Sequence, residues 1–222
     1  MLDAATGTGF AAKAAARVVG ARGQVIGADI SQGMLAQAER LSADLGNVTY
    51  VRADASRLDD FDGGSFDAVI CSAGMLYLPL EETLSAWHRV LKPDGLVGFS
   101  AMWEGFPLLA RLFRDCATEF GLDLADPMTA LGNERRCEDA LVRAGFTCTR
   151  TVAEVVMLPG SDAGQVWRLN SGSPHYPEIR ALGPGDLSAL ETRFTSEVRR
   201  LMAEDEATTL RAPVIYAFGR KC

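Results

Sequence analysis

Strand-like and helix-like segments alternate from the first residue of this chain. Met1–Ala5 reads as the end of a strand, and the Ala-rich, helix-favouring segment after it stops at Gly20 and Gly23. Short β-branched or apolar runs then recur, and each is followed by a segment with helical spacing of its apolar residues. This alternation predicts an α/β fold, in which a parallel sheet is covered by helices on both faces.

The C-terminal part of the sequence changes character. A long run that ends at Met157 reads as a strand, and "APVIYAFGRK" closes the chain as another. Between them, the stretch from Leu158 to Asp186 is rich in Gly, Pro and Ser, which predicts a loop. We therefore interpret residues 1–222 as one domain, with residues 158–210 as a lid or substrate insertion between the last two strands.

Composition excludes several classes of function. The 222 residues carry a net charge of −7, which argues against a nucleic-acid partner. No apolar run is long enough for a membrane span, and no secretion signal is visible. The five cysteines are scattered and form no C-x-x-C pair, which argues against a zinc site or a disulfide framework. We expect a cytoplasmic setting, with no metal.

The stretch "DAATGTG" joins the first strand to the first helix. Gly7 and Gly9 permit a sharp turn and the close approach of a ligand, and the helix after them directs N–H groups at the same place. Asp29 and Asp54 end the second and third strands. Ligands of doubly wound sheets bind at the carboxyl ends of the strands, so Asp3, Asp29 and Asp54 should line one crevice.

Two kinds of cofactor suit this crevice. Gly7, Gly9 and Ala12 match a G-x-G-x-x-A dinucleotide fingerprint, with Asp29 placed to bind a ribose. Asp3 opposes that interpretation because its carboxylate would face a pyrophosphate. A ligand with an amino-acid moiety and an adenosine fits better, since Asp3 could accept from an ammonium group.

Five motifs of the chain resemble those of class I S-adenosylmethionine-dependent methyltransferases, in order and in spacing: "LDAATGTG", "VIGADIS", "RADA", "FDAVICSAG" and "RVLKPDGLV". The resemblance covers roughly residues 1–101 and is strongest to the ubiquinone/menaquinone-biosynthesis type. It implies a Rossmann-like, doubly wound, seven-stranded sheet, mostly parallel with an antiparallel C-terminal strand. It also implies methyl transfer from S-adenosyl-L-methionine to a small organic acceptor by in-line displacement, with S-adenosylhomocysteine as product.

The resemblance also implies roles for single residues. Asp3 would lie near the methionyl ammonium group, Asp29 would accept both ribose hydroxyls, and Asp54 would accept from the adenine amino group. Ala5 stands where the family often has Gly. The full set of cofactor-binding candidates is Asp3, Ala5, Thr6, Gly7, Gly9, Asp29, Ile30, Met34, Asp54, Ala55, Cys71, Ser72 and Ala73.

The sequence indicates less clearly which residues would bind the methyl acceptor. Of the two histidines, His175 in "SGSPHYPE" is the candidate general base, because it lies in the predicted lid. Aromatic residues could wall an apolar acceptor pocket, which would favour an aromatic or polyketide-like molecule. The candidates for this wall are Tyr77, Trp103, Phe106, Trp167 and Tyr176.

Two alternative functions stay open at this point. The chain could be a nicotinamide-dependent oxidoreductase, or a methyltransferase-like module that binds a cofactor or partner without catalysis. Family members usually have helices before the first strand, and the chain apparently lacks them, so we hypothesise that Met1 is not the native start. The surface that those helices would cover makes a homodimer a further hypothesis.

Overall fold

The structure, a computed structural model, describes residues 1–160 and 162–222. Its strands are β1 (Leu2–Ala4), β2 (Val25–Asp29), β3 (Val48–Arg52), β4 (Phe66–Cys71), β5 (Leu91–Met102), β6 (Phe146–Met157) and β7 (Arg211–Lys221). Its α-helices are α1 (Phe10–Val19), α2 (Gln32–Leu41), α3 (Leu80–Val90), α4 (Leu108–Thr118), α5 (Glu134–Arg143), α6 (Ala163–Ser171) and α7 (Pro184–Leu210).

The seven strands form one sheet in the order β3-β2-β1-β4-β5-β7-β6. Strands β1 to β5 pair in parallel, and the C-terminal strand is antiparallel, so the predicted fold class is confirmed. Strand β1 lies between β2 and β4, with Leu2 opposite both Ile26 and Val69. The order of the strands reverses at β1, which is where such sheets bind their ligands.

Local sequence explains the elements on either side of β1. Helix α1 packs on the sheet through the small side chains of Ala12, Ala15 and Ala16, which lie against Val25. Helix α2 begins after Ser31, whose Oγ accepts a hydrogen bond from the backbone N–H of Met34 at 3.4 Å. Ser31 is therefore the N-cap of α2.

The residues "KPDG", whose Pro and Gly are typical of a break in the chain, lie inside a strand. They belong to β5, which begins at Leu91 and not after Gly95. The pairing of β4 with β5 shifts register between Phe66 and Ala68, and Asp94 takes a φ of 63°. The extra residues bend the strand out of its ladder and do not end it.

The chain divides into two compact units. Unit 1 comprises Met1–Ala101, Asn133–Ala153 and Ile215–Cys222, and unit 2 comprises Met102–Gly132 and Glu154–Val214. In unit 2, helix α4 begins directly after a cis Phe106–Pro107 bond.

Unit 2 has a core of its own, and the prediction of a loop from Leu158 to Asp186 is wrong for part of its length. Helix α6 forms because Asp162 caps it, with its Oδ1 accepting from the Gln165 N–H at 2.9 Å, and because Val166 and Trp167 are buried. A short 3-10 helix follows at Pro177–Ala181. Ser161, in the same stretch, lies outside the described residues.

The interpretation of residues 158–210 as a lid stays a prediction. Within unit 2 this segment is grouped with Met102–Gly132, which the predicted boundary left out. No helix among the described residues has both the length and the apolar character needed to cross a membrane.

Candidate functional site

All the predicted cofactor-binding residues lie in unit 1, at or just beyond the carboxyl ends of β1, β2, β3 and β4. The parallel pairing of these strands brings their ends to one edge of the sheet. The geometry of this edge follows from the turn between β1 and α1.

This turn has left-handed backbone at three positions: φ is 54° at Ala5, 55° at Gly7 and 81° at Gly9. The Thr6 N–H donates to the carbonyl of Ala28 at 2.9 Å, and the Gly9 N–H donates to the carbonyl of Thr6 at 2.9 Å. The first bond ties the turn to β2. No described atom lies within 4 Å of a Cβ built on Gly7, so the surface there is open to a ligand.

Asp29 is held by two backbone N–H groups. Its Oδ2 accepts from Gly7 at 2.8 Å, and its Oδ1 accepts from Ser31 at 2.9 Å. A carboxylate oxygen can accept two hydrogen bonds, so each oxygen retains capacity for one more donor. The side chain is therefore fixed in orientation, and its role in binding a ribose stays a prediction.

Asp3 is a buried carboxylate, with 1% of its surface exposed. Its Oδ2 accepts from the Thr6 hydroxyl at 2.5 Å, whereas no hydrogen bond reaches Oδ1 from the described residues. Burial raises the pKa of Asp3 to about 6, and the charge of Asp29 adds to the rise, while the neighbouring Thr6 hydroxyl and Ala12 N–H lower it. A cationic group at Oδ1 would satisfy this oxygen and favour the charged form.

Asp54 is fixed by the residue two positions on. Its Oδ1 accepts from the Ser56 N–H at 2.8 Å and from the Ser56 hydroxyl at 2.6 Å. These bonds hold the pKa of Asp54 below its ordinary value. The carbonyl of the next residue, Ala55, accepts from the indole N–H of buried Trp87 at 2.8 Å.

Two apolar side chains beside Asp29 are unusually exposed for their type. Ile30 is 66% and Met34 is 45% exposed. Exposed apolar surface next to polar ligand groups is typical of a binding surface for a flat apolar ring. The adenine role of Ile30 and Met34 stays a prediction.

The end of β4 supplies backbone to the same edge. Cys71 is buried, and burial raises the pKa of its thiol to about 12, so the thiol packs as a small uncharged group. Ser72 is exposed, and the Ala73 N–H donates to Ser100 Oγ at 2.9 Å. A Cβ at Gly74 would lie 2.8 Å from the Cβ of Ala5, so Gly74 makes room for the alanine that departs from the family pattern.

The sequence analysis did not identify the residues that pack against the site or hold its backbone by hydrogen bonds. A Cβ on Gly9 would lie 2.5 Å from the Tyr50 hydroxyl, so Gly9 is needed for packing as well as for its φ. Tyr50 is in turn paired with Ser42, with 2.7 Å between their hydroxyl oxygens. Tyr50, Trp87 and Ser100 lie far along the chain from the residues they support, and no motif marks them.

The acceptor-side candidates divide between the two units. Within unit 2, Trp167 and Tyr176 are 7% and 3% exposed and pack on Phe113, each with its ring centroid 5.7 Å from that of Phe113. This burial favours a packing role, and a role in an acceptor wall stays a prediction for both. Trp103 and Phe106 of unit 2 are partly buried, and Tyr77 of unit 1 is 59% exposed.

His175 is partly buried in unit 2, and burial lowers the pKa of its imidazole. The ring is therefore neutral at neutral pH, which is the state a general base requires. Its backbone N–H donates to Ser173 Oγ at 3.3 Å.

The part of the chain that forms this edge of the sheet is similar to known methyltransferases. Residues 1–95 match the family model described as a methyltransferase domain. Over 97 residues the chain is 40% identical to a demethylmenaquinone methyltransferase of Staphylococcus epidermidis, which covers 43% of this chain and 40% of the relative. The first part of the chain is therefore similar to S-adenosylmethionine-dependent methyltransferases.

Two further comparisons extend beyond residue 95. Nocamycin O-methyltransferase of Saccharothrix syringae is 29% identical over 242 residues, covering 99% of this chain and 84% of that protein. A phosphoethanolamine N-methyltransferase 2 of Haemonchus contortus superposes with a TM-score of 0.60 at 21% identity, covering 100% of this chain and 48% of that one. The second match shows the fold alone. The chain spans about two fifths of the length of the demethylmenaquinone methyltransferase.

Proposed function

We propose that the chain binds S-adenosyl-L-methionine at the carboxyl ends of β1 to β4 and transfers its methyl group to a small organic acceptor. The observation that carries this proposal is the buried Asp3, whose Oδ1 accepts no hydrogen bond from the described residues. An ammonium group is the ligand chemistry that such an oxygen needs. The family of residues 1–95 supports the same cofactor.

The chain's own residues would hold the cofactor in three places. Asp3 accepts from its ammonium group, Asp29 accepts from its ribose hydroxyls, and Ile30 and Met34 pack on its adenine. The cofactor supplies a methyl group already activated on a sulfonium sulfur. The protein therefore has mainly to bind and orient the two partners, which can contribute about 7–11 kcal/mol in well-aligned reactions.

A proton must leave the acceptor when the acceptor is a hydroxyl. We assign the base role to His175, supported by its neutral imidazole. The aromatic residues Tyr77, Trp103, Phe106, Trp167 and Tyr176 remain our candidates for the acceptor wall.

The relatives favour O-methylation over C-methylation. The quinone-biosynthesis relative matches only 43% of this chain, and family residues in that part serve the cofactor. The nocamycin relative matches 99% of the chain, including the part from which acceptor residues would come. An oxygen on a polyketide-like or aromatic molecule is therefore our proposed acceptor, in a cytoplasmic setting. A homodimer stays a hypothesis.

Calorimetric titration with S-adenosylhomocysteine tests the cofactor site. We expect saturable binding by the chain and at least about tenfold weaker binding by Asp29→Asn, because charged hydrogen bonds to two hydroxyls are worth about 1.5–3 kcal/mol. Asp67→Asn is the matched control, since Asp67 is exposed and pairs with Lys92. Equal affinities of all three proteins would contradict the proposed site.

Turnover with a panel of phenols, enols and polyketide-like hydroxyl compounds tests the reaction. Methylated product that depends on Asp29 would establish catalysis. Tight binding of S-adenosylhomocysteine without any product would instead favour a binding module.

A further inference from the structure

Trp87 lies on α3 and is fully buried, with 0% of its surface exposed. Its indole N–H donates to the carbonyl of Ala55, 2.8 Å away and 32 residues earlier in the chain. An indole has a single donor, and a buried donor must be satisfied. Here that donor is directed at the main chain of a residue in the proposed adenine site.

A second residue of α3 holds the other end of the same segment. The Arg89 Nη1 donates to the carbonyl of Phe61 at 2.7 Å, and its Nη2 donates to the carbonyl of Leu58 at 2.8 Å and of Arg57 at 3.1 Å. Helix α3 therefore binds the chain from Ala55 to Phe61 through main-chain carbonyls at both ends. We call residues 55–61 the clamped segment.

The clamped segment follows directly on Asp54, whose carboxylate is itself fixed by Ser56 within the segment. The position of Asp54 thus depends on the path of residues 55–61. Adenine presents an amino donor and a ring-nitrogen acceptor, so the base is distinguished by groups whose placement the clamped segment sets. The methionyl and ribose groups of the ligand depend on the other strand ends, where Asp3 and Asp29 lie.

We propose that Trp87 is a positioning residue for recognition of the adenine base, acting through its hydrogen bond to Ala55. The inference rests on the proposed cofactor site and assigns its base specificity to α3. Trp87 touches no reacting atom. Its loss should weaken the preference for adenine over a base with the opposite hydrogen-bonding edge.

Trp87→Phe removes the donor and keeps an aromatic ring in the core. The readout is the ratio of dissociation constants for S-inosylhomocysteine and S-adenosylhomocysteine, since hypoxanthine carries an oxygen in place of the amino group and a proton on the ring nitrogen. We expect this ratio to fall about fivefold in Trp87→Phe, the change that corresponds to one hydrogen bond of ~1 kcal/mol. The ratio between 5′-methylthioadenosine and S-adenosylhomocysteine should not change, because both ligands carry adenine.

Val90→Ala is the matched control, because Val90 is fully buried on the same helix and its side chain donates no hydrogen bond. It should lower the melting temperature and leave the base preference intact. Arg89→Met provides a second test should Trp87→Phe fail to fold, since Arg89 is exposed and its loss should reduce the base preference in the same direction.

The outcomes separate the inference from the proposed function. The inference alone is overturned when the unaltered chain binds S-adenosylhomocysteine but Trp87→Phe has an unchanged base preference. Where Trp87→Phe does not fold, an unchanged base preference in Arg89→Met has the same meaning. Absence of binding by the unaltered chain would overturn the proposed function and the inference with it.

Discussion

At the scale of single residues, Asp3 is the group whose charge the proposed cofactor would change most. Its raised pKa of about 6 means that the free protein binds a proton there below about pH 6. Because folding raises the pKa from 3.8, the unfolding free energy that this group contributes is greatest at low pH and falls as pH rises from about 4 to 6.

Ligand affinity should change in the opposite direction with pH. An ammonium group binds the ionised form of Asp3, so affinity for S-adenosylhomocysteine should rise about tenfold from pH 5 to pH 7 and then level off. Calorimetry across this range measures the profile. Asp3→Asn should bind more weakly at pH 7.5, with a flat profile, and an unaltered slope in that variant would show that another group is responsible.

Ala5 is a second residue with a measurable consequence. A φ of 54° places the backbone of Ala5 in the left-handed region, which costs about 1–2 kcal/mol for a residue other than Gly. Ala5→Gly removes that strain but makes the unfolded chain more flexible, so we expect a net stabilisation of roughly 0.5–1 kcal/mol. Urea denaturation measures it. Ala4→Gly, in the extended strand β1, should be destabilising, and a fall in stability for both variants would contradict strain at Ala5.

At the scale of elements, helix α6 depends on its cap. Asp162 accepts from the Gln165 N–H at 2.9 Å, and loss of an N-cap costs about 1 kcal/mol. Asp162→Ala should therefore lower the unfolding free energy by roughly that amount, as measured by urea denaturation. Asp162→Asn keeps the acceptor and should cost only a few tenths of a kcal/mol; equal losses in the two variants would mean that charge, and not capping, matters there.

The elements that sequence predicted well are those whose local signals agree with the tertiary structure. Strand β4 is an almost continuous apolar run because both faces of a central parallel strand are covered. Helix α6 was missed because its Gly- and Ser-containing sequence has little helical signal, and its formation depends on burying Val166 and Trp167. The continuation of β5 through "KPDG" has no local signal, because the register of a strand depends on its partner strand.

In the candidate site too, the features with a local sequence signal were predicted and those that depend on distant contacts were not. The three acids were predicted from motifs, since Asp3, Asp29 and Asp54 each lie within two residues of the end of a strand, and the strand ends meet at one edge. Their supports were not, because the bond from Gly7 to Asp29 spans 22 residues and the bond from Trp87 to Ala55 spans 32. Contacts over such separations have no periodic or local pattern that a single sequence displays.

At the scale of the whole molecule, every proposed cofactor residue belongs to unit 1, whereas unit 2 has its own aromatic core. Phe113 is fully buried in that core and makes an edge contact with Phe194, with 5.3 Å between ring centroids. Cofactor binding and the integrity of this core can therefore be varied separately.

Phe113→Leu should cost about 2 kcal/mol, from lost apolar burial and lost ring contacts, and should lower the melting temperature by roughly 4–8 °C. The dissociation constant for S-adenosylhomocysteine at 15 °C should stay within about twofold of the unaltered value, because 2 kcal/mol is a small part of the usual 5–15 kcal/mol of stability. Scanning calorimetry and titration measure the two quantities. Phe66→Leu is the comparison variant, because Phe66 lies in the core of unit 1 and its replacement should lower the melting temperature by a similar amount. Loss of binding in a folded Phe113→Leu protein would mean that the cofactor site needs an intact core in unit 2, and residues outside the strand ends would then have to be counted as part of it.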